Sequence, residues 1–170
     1  MAARAFAFVS LALFLTGCAG YRLGPANGMA AGSRSVCINP IPNHTLQPGL
    51  SDAVTGMLRK ELQRDGAFKL ATHQDTGDIV LDGTIVKYER HELSFVSSDN
   101  LTVKDFSIVI TAQMTARERG TGKVILDKTV TGTTLIRVGN DMTSAERQGT
   151  PLLADDLARN VVALLSEGTW

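Results

Sequence analysis

The chain has 170 residues, 17 Lys+Arg against 17 Asp+Glu, 44% hydrophobic residues and only 5% aromatic ones. A net charge of zero excludes the basic excess of a nucleic-acid binder, and so few rings disfavour stacking platforms for bases or sugars. The length suits one domain with a real core.

The first segment reads as an address. Met1 to Arg4 carry one positive charge, and Ala5 to Leu15 are apolar except for Ser10. Eleven helical residues span roughly 16 Å, about half of a ~30 Å hydrocarbon core, so this is a secretory signal and not a membrane span. Its end, Leu15-Thr16-Gly17-Cys18, resembles the bacterial lipobox, in which the cysteine is acylated and becomes the mature N-terminus. One acyl chain holds a protein only marginally, at ~0.8 kcal/mol per buried methylene, so two or three chains make a lasting anchor. Ala19 in place of Asp after the cysteine resembles the signal that sorts lipoproteins to the outer membrane, facing the periplasm. Removing residues 1–17, whose only charge is Arg4, leaves 153 residues with a net charge of −1. Cys37 is then a lone thiol, unable to close an internal disulfide, and its neighbours Val36 and Ile38 predict a buried strand position.

Residues 18–33, the lipidated cysteine and a Gly/Ala-rich stretch, are expected to form a tether with a reach of roughly 20 Å. A single domain is expected over 34–168. Its first strand is "RSVCIN", stopped by Pro40 and Pro42. A helix follows in "PGLSDAVTGMLRKELQRDG", where Leu50, Val54, Met57, Leu58 and Leu62 recur at helical spacing with Ala53 beside them. Pro48 stands at its start and Asp65-Gly66 at its end. Burying five such side chains is worth on the order of 7–15 kcal/mol before entropy is counted.

"FKLATH" predicts a second strand and "DIVLDGTIVKYERHEL" a long third one, with Ile79, Leu81 and Ile85 on one face and Val80, Val86 and Tyr88 on the other. Gly83 within it marks a bulge or a close approach. "DFSIVITAQMTARER" alternates cleanly: Phe106, Ile108, Ile110, Ala112, Met114 and Ala116 share one face, opposite Ser107, Thr111, Gln113, Thr115 and Arg117. "GTG" at 120–122 predicts a hairpin turn into the Thr-rich strand "KVILDKTVTGTTLIRV". A second helix is expected in "SAERQGTPLLADDLARNVVALLSEG", with Pro151 near its start, Asp155-Asp156 in its first turn, and a stripe of Ala154, Leu157, Ala158, Val161, Leu164 and Leu165. The order β-α-β-β-β-β-α predicts an α+β two-layer sandwich, a mostly antiparallel sheet of four to five strands against two helices. The alternative is a curled sheet with helices on different faces.

Catalytic signals are missing. His44, His73 and His91 do not pair at i, i+4 spacing, so no metal site is expected. "RGTGKV" has Val124 where a phosphate-binding loop needs Ser or Thr, and there is no G-x-S-x-G elbow. No catalytic residue and no cofactor are expected, and a periplasmic hydrolase is disfavoured.

The strings "GCAGYRLG", "INPIPNHTLQPGLSDAVTGMLRKEL", "GDIVLDGTIVKYERHELS" and "RGTGKVILDKTVTG" resemble the lipopolysaccharide-assembly lipoprotein family LptE over roughly residues 18–165. The most specific piece is N-x-T-x-x-P-G-L, here Asn43, Thr45, Pro48, Gly49 and Leu50. The resemblance implies a four-stranded sheet on two helices, no enzymatic activity, and a plug inside the large outer-membrane barrel LptD that contacts lipopolysaccharide. It makes Asn43, Thr45, Pro48 and Gly49 candidates for contact with the barrel. A plug needs polar strand surface able to face a wet lumen, and the faces with Ser107, Thr111, Gln113 and Thr115 and with Thr129, Thr131 and Thr133 are of that kind. Contact with lipid A phosphates needs charge-assisted donors; Lys87, Arg90, Lys128 and Arg137, on or beside the predicted sheet, are the candidates. A rival function is regulation of a peptidoglycan synthase from the outer membrane. A tether of about 15 residues reaches at most ~50 Å, which favours a partner in the same membrane.

Overall fold

The computed structural model describes residues 30–73, 76–96, 99–139 and 141–168, with only the backbone of 95–96 and 99–103. The signal segment and Cys18 lie outside these residues. The elements follow the expected order: β1 (Ser35–Ile38), α1 (Leu50–Asp65), β2 (Lys69–Leu70), β3 (Ile79–Val96), β4 (Asp99–Glu118), β5 (Val124–Arg137) and α2 (Met142–Glu167). One five-stranded sheet has the strand order β2-β1-β3-β4-β5. β1 runs parallel to both β2 and β3, whereas β3–β4 and β4–β5 are antiparallel. Both helices share one core with one face of this sheet, so the two-layer α+β sandwich holds and the arrangement with helices on different faces does not.

The periodicities place the core. On β4, Ile108, Ile110, Ala112, Met114 and Ala116 are buried, with Phe106 partly so. From α1, Leu50, Val54, Leu58 and Leu62 are fully buried and Ala53 and Met57 pack at the margin. α1 stops where Gly66 takes φ 74°, a left-handed value that costs glycine little, and donates its N–H to the Leu62 carbonyl at 3.4 Å. Cys37 is buried on β1 as expected. Residues 119–122 form the turn between β4 and β5, with Gly122 at φ 71°.

The structure departs from the sequence reading in four places. β2 is only two residues long: its last bond to β1 runs from Ala71 N–H to the Val36 carbonyl (2.9 Å), and the chain bends at Thr72 and His73. β4 starts at Asp99, earlier than the alternation announced, pairing with the far part of β3. Gly83 keeps one of its two expected roles, the close approach, since a Cβ there would overlap the Met114 thioether. The bulge lies at Val86, between the pairs Ile85–Ala112 and Lys87–Thr111. One extra residue reverses the alternation, so Tyr88 joins Ile85 on the core face instead of siding with Val80.

The fourth departure is α2, which begins at Met142, capped by the Asp141 carboxylate accepting from Ser144 N–H at 2.6 Å. Pro151 therefore sits inside the helix and Asp155-Asp156 near its middle. Local rules place a proline in the first turn, where its missing N–H costs no helical hydrogen bond, but tertiary packing outweighs the loss here. Ala154, Leu157, Ala158, Val161 and Leu165 are buried as the stripe predicts and Leu153 joins them, while Leu164 is 37% exposed.

α2 lies very close to β5. A Cβ at Gly132 would come within 2.7 Å of both the backbone nitrogen and Cβ of Leu157, and one at Gly149 within 2.5 Å of Ile136. Two glycines, one on each element, allow the approach. The isolated glycine within a strand pattern was the available signal for it.

Candidate partner-facing surface

The stretch after β1 continues along β3 despite its prolines. Asn39 N–H donates to the Leu81 carbonyl (3.1 Å), Ile85 N–H to the Pro42 carbonyl (2.8 Å) and His44 N–H to the Ile85 carbonyl (2.9 Å). Helix α1 fixes the same stretch from the other side: Thr55 Oγ1 accepts from Ile41 N–H (3.0 Å) and Ser51 Oγ donates to the Ile41 carbonyl (2.6 Å). Pro40 and Pro42 lack N–H groups, so the ladder uses the residues between and after them.

The loop that follows is self-contained. Asn43 Oδ1 accepts from Thr45 N–H (3.0 Å) and Thr45 Oγ1 (2.8 Å), and Asn43 Nδ2 donates to the Gln47 carbonyl (2.7 Å). This is an Asx turn. The structure thus gives Asn43 and Thr45 a folding role, and it leaves Pro48 and Gly49 exposed at the entrance of α1. Gly49 has φ 77°, which explains the glycine there. At the loop tip Leu46 is fully exposed, at 104%. A recess of 230 Å³ runs from Pro48 and Gly49 to Thr143, Arg147 and Pro151 of α2. No local pattern in the sequence signals that the loop and the start of α2 meet.

The bulge at Val86 builds a polar cluster under α2. Tyr88 OH donates to Glu146 Oε1 at 2.8 Å, and Arg90 Nε reaches the same oxygen at 2.5 Å. The Arg90 guanidinium also lies 5.6 Å from the Tyr88 ring centre. Burial, and then the hydrogen bond to Glu146, pushes the Tyr88 hydroxyl up to about 12. Arg90 therefore neutralises a buried carboxylate.

The four candidate cations are not brought together. Lys87 lies on the face away from the helices, 2.8 Å from Glu89. Arg137 is on that face too, 2.7 Å from Asp105. Its register partner on β4 is Asp105 while that of Lys87 is Thr111, about 20 Å apart along the strand. Arg90 and Lys128 belong to the helix side, and Lys128, opposite Met114, is exposed without an ion pair among the described residues. Near Arg137 the exposed side chains of Leu93 and Leu135, 55% and 68% accessible, border a recess of 430 Å³.

The two Thr-rich patches form one surface. Thr111 pairs with Thr131, Gln113 with Thr129, and Val109 with Thr133, all pointing away from the helices. No described element covers this face. The neighbouring edge of β5 is protected where α2 passes it: Asp156 Oδ2 accepts from Thr133 N–H (2.9 Å) and Asn160 Nδ2 donates to the Thr131 carbonyl (2.8 Å). Asp156 guards a strand edge against pairing with another chain. Among the described residues no group of three or more His, Cys, Asp or Glu side chains is placed to hold a metal ion, and no helix is long and apolar enough to cross a membrane.

A mixed sheet with both helices on one face and an open polar face on the other defines the class of small α+β sandwich seen in several bacterial proteins. The chain is similar to the hypothetical protein CT253 of Chlamydia trachomatis (TM-score 0.58, 13% identity, covering 82% of this chain and 98% of that one). It is also similar to XCC0632 of Xanthomonas campestris (TM-score 0.58, 10% identity, 85% and 90% covered) and to PelC of Paraburkholderia phytofirmans (TM-score 0.51, 19% identity, 85% and 96% covered). At these identities the likeness is one of fold. Sequence comparison with curated proteins finds no match. The LptE family model, described as lipopolysaccharide-assembly, matches residues 33–165. The chain belongs to the LptE family, whose members are accessory proteins of lipopolysaccharide assembly.

Proposed function

We propose that the chain is an outer-membrane lipoprotein, cleaved after Gly17 and anchored on the periplasmic side through acylated Cys18, with a short tether to residue 33 and one domain over 34–168. It acts without catalysis of its own, as an accessory plug of an LptD-type β-barrel in the lipopolysaccharide translocon. The observation that carries this reading is the uncovered Thr-rich face of β4 and β5 in a chain of the LptE family. Hydroxyls opposite one another keep the β-branched character strands prefer and present donors and acceptors to a wet lumen. The loop through Asn43 and Thr45, ordered before any partner arrives, meets the barrel through Leu46, Pro48 and Gly49, where pre-organisation lowers the entropic cost of association.

For lipopolysaccharide, the ion pairs rank the candidates. Lys128 is the cation ready for a phosphate, whereas Lys87, Arg90 and Arg137 must exchange an existing carboxylate partner first. Extraction of the tagged full chain from outer membranes in mild detergent tests the reading. A large β-barrel at about one to one, surviving high salt, is the expected result. Recovery of monomer alone would overturn the plug, and a peptidoglycan synthase in its place would establish the rival role.

A further inference from the structure

The two sides of the sheet are finished differently. On β5, Asp156 and Asn160 of α2 bond to outward main-chain groups of Thr133 and Thr131. On the other side, β1 and its extension cover β3 only as far as Ile85, whose N–H goes to the Pro42 carbonyl and whose carbonyl accepts from His44 N–H. The Asx turn at Asn43 then takes the chain off this side, and β3 runs on to Val96 paired with β4 alone.

Alternation decides which groups this stretch leaves over. In an antiparallel ladder alternate residues bond to one neighbour and the others point away from it. Thr131 and Thr133 point away from β4, so their register partners Thr111 and Val109 bond to β3. Lys87 and Glu89 lie opposite those two and bond inward, with His91 next in the same set. Tyr88, Arg90 and Glu92, opposite Ile110, Ile108 and Phe106, therefore turn both N–H and C=O outward. Ile85 fixes the same phase, since it faces outward opposite Ala112 before the bulge at Val86 shifts the set. Among the described residues nothing bonds to the outward groups of Tyr88, Arg90 and Glu92. The side chains do not blunt this run either. Lys87 is held by Glu89 on one face and Arg90 by Glu146 on the other, while His91 and Glu92 are exposed. The bulge at Val86 ends the internal pairing, and no proline, unpaired lysine or described covering element follows it before the next register shift, after Glu92.

We propose that residues 88–92 are a docking edge, to which an extended segment of the barrel partner adds as one more strand. Two features choose that occupant. Donors and acceptors at alternate residues are satisfied by extended backbone, whereas a helix uses its own main-chain groups internally. The edge also continues the surface of the loop proposed to meet the barrel: His44 is bonded to Ile85, just before the bulge, and Leu46 protrudes beside it. Strands within a closed barrel are already paired on both sides, so the guest is a loop or terminal segment of that partner. The charges beside the edge are of both signs, so main-chain pairing and not net charge selects a guest without proline at the bonded positions. The inference rests on the plug reading and adds where the barrel grips its plug.

The test compares the full chain alone with its detergent-extracted barrel complex, by amide hydrogen exchange read residue by residue. In the free chain Lys87, Glu89 and His91 should exchange slowly and Tyr88, Arg90 and Glu92 fast. In the complex the three fast amides should slow about tenfold or more. Asp127 and Thr129, which by the same alternation point off the β5 side, are the reference and should change less. Glu92→Pro removes one outward donor without touching the β4 ladder. It should weaken the complex about five- to tenfold, and Glu92→Ala, which keeps the N–H, by no more than about twofold. The thermal midpoint of each free variant shows whether it folds, and if Glu92→Pro does not, the exchange pattern of the parent decides. A complex in which Tyr88, Arg90 and Glu92 stay fast overturns the proposal and leaves the plug standing. Slowing confined to Asp127 and Thr129 does the same. Recovery of monomer alone overturns both.

Discussion

On the helix side of β4, Ile108, Ile110, Ala112, Met114 and Ala116 are buried, while Ser107, Thr111, Gln113, Thr115 and Arg117 of the same strand point the other way. β5 repeats the contrast, with Leu126, Val130, Gly132 and Ile136 buried and Asp127, Thr129, Thr131 and Thr133 exposed. One backbone thus presents two surfaces with opposite tolerance. The inner one is fixed by close packing, in which a single methyl group is felt. The outer one is constrained only by strand propensity and by what it must touch, and threonine satisfies both demands. Under the proposed plug role, stability and partner choice are divided between the faces, so each can change without the other.

The largest test of that division is Gly132→Val. Its Cβ would strike the Leu157 backbone, which cannot yield as a side-chain end can. A loss of about 3 kcal/mol or more is expected, read as a lowered denaturant midpoint or failure to fold. A midpoint within about 0.5 kcal/mol of the parent would show that α2 does not press on β5.

A smaller effect is expected where a polar cluster intrudes on the inner face. Glu146→Ala leaves Tyr88 and Arg90 without their shared acceptor and should cost about 1–3 kcal/mol. Glu146→Gln keeps an acceptor and should cost less. The cluster also has an optical signature: one phenolate should form only near pH 12, its absorbance absent in Tyr88→Phe and appearing at lower pH in Glu146→Gln. An ordinary titration near pH 10 in the parent would mean that Glu146 does not hold this hydroxyl.

The smallest effect belongs to the outer face. Thr111→Ala with Thr131→Ala removes a directly opposed pair and should change stability by no more than about 1 kcal/mol. If this surface lines a lumen, the same double substitution should reduce co-purification of the barrel while thermal unfolding barely moves. Unfolding that drops as far as in Gly132→Val would abolish the contrast between the faces.

How far the sequence alone reached depended on the range of the interactions involved. The α1 stripe and the alternation of β4 were legible because burial on one side imposes a period of 3.6 or 2 on consecutive residues. The true start of α2 was hidden behind Pro151, since packing against β5 keeps a helix running through a residue that local rules place at its beginning. Simple alternation misplaces Tyr88, because a bulge is one extra residue and leaves the composition of the strand unchanged. Among the candidate sites, the strand-end motif was visible as a string of residues. That Asn43 and Thr45 spend their polar atoms on each other, leaving Leu46 to face outward, became apparent only from the folded loop.

The sequence by itself determined the address-like first segment, the α+β class, the apolar stripes and the resemblance to the LptE family, because each is carried by neighbouring residues or by fixed short spacings. The tertiary structure decided which charges meet. Glu146 lies 56 residues from Arg90 in the chain, and Glu118 lies 84 from Arg34. No local pattern encodes such pairs; the register of the sheet and the close approach of α2 at two glycines put them within reach.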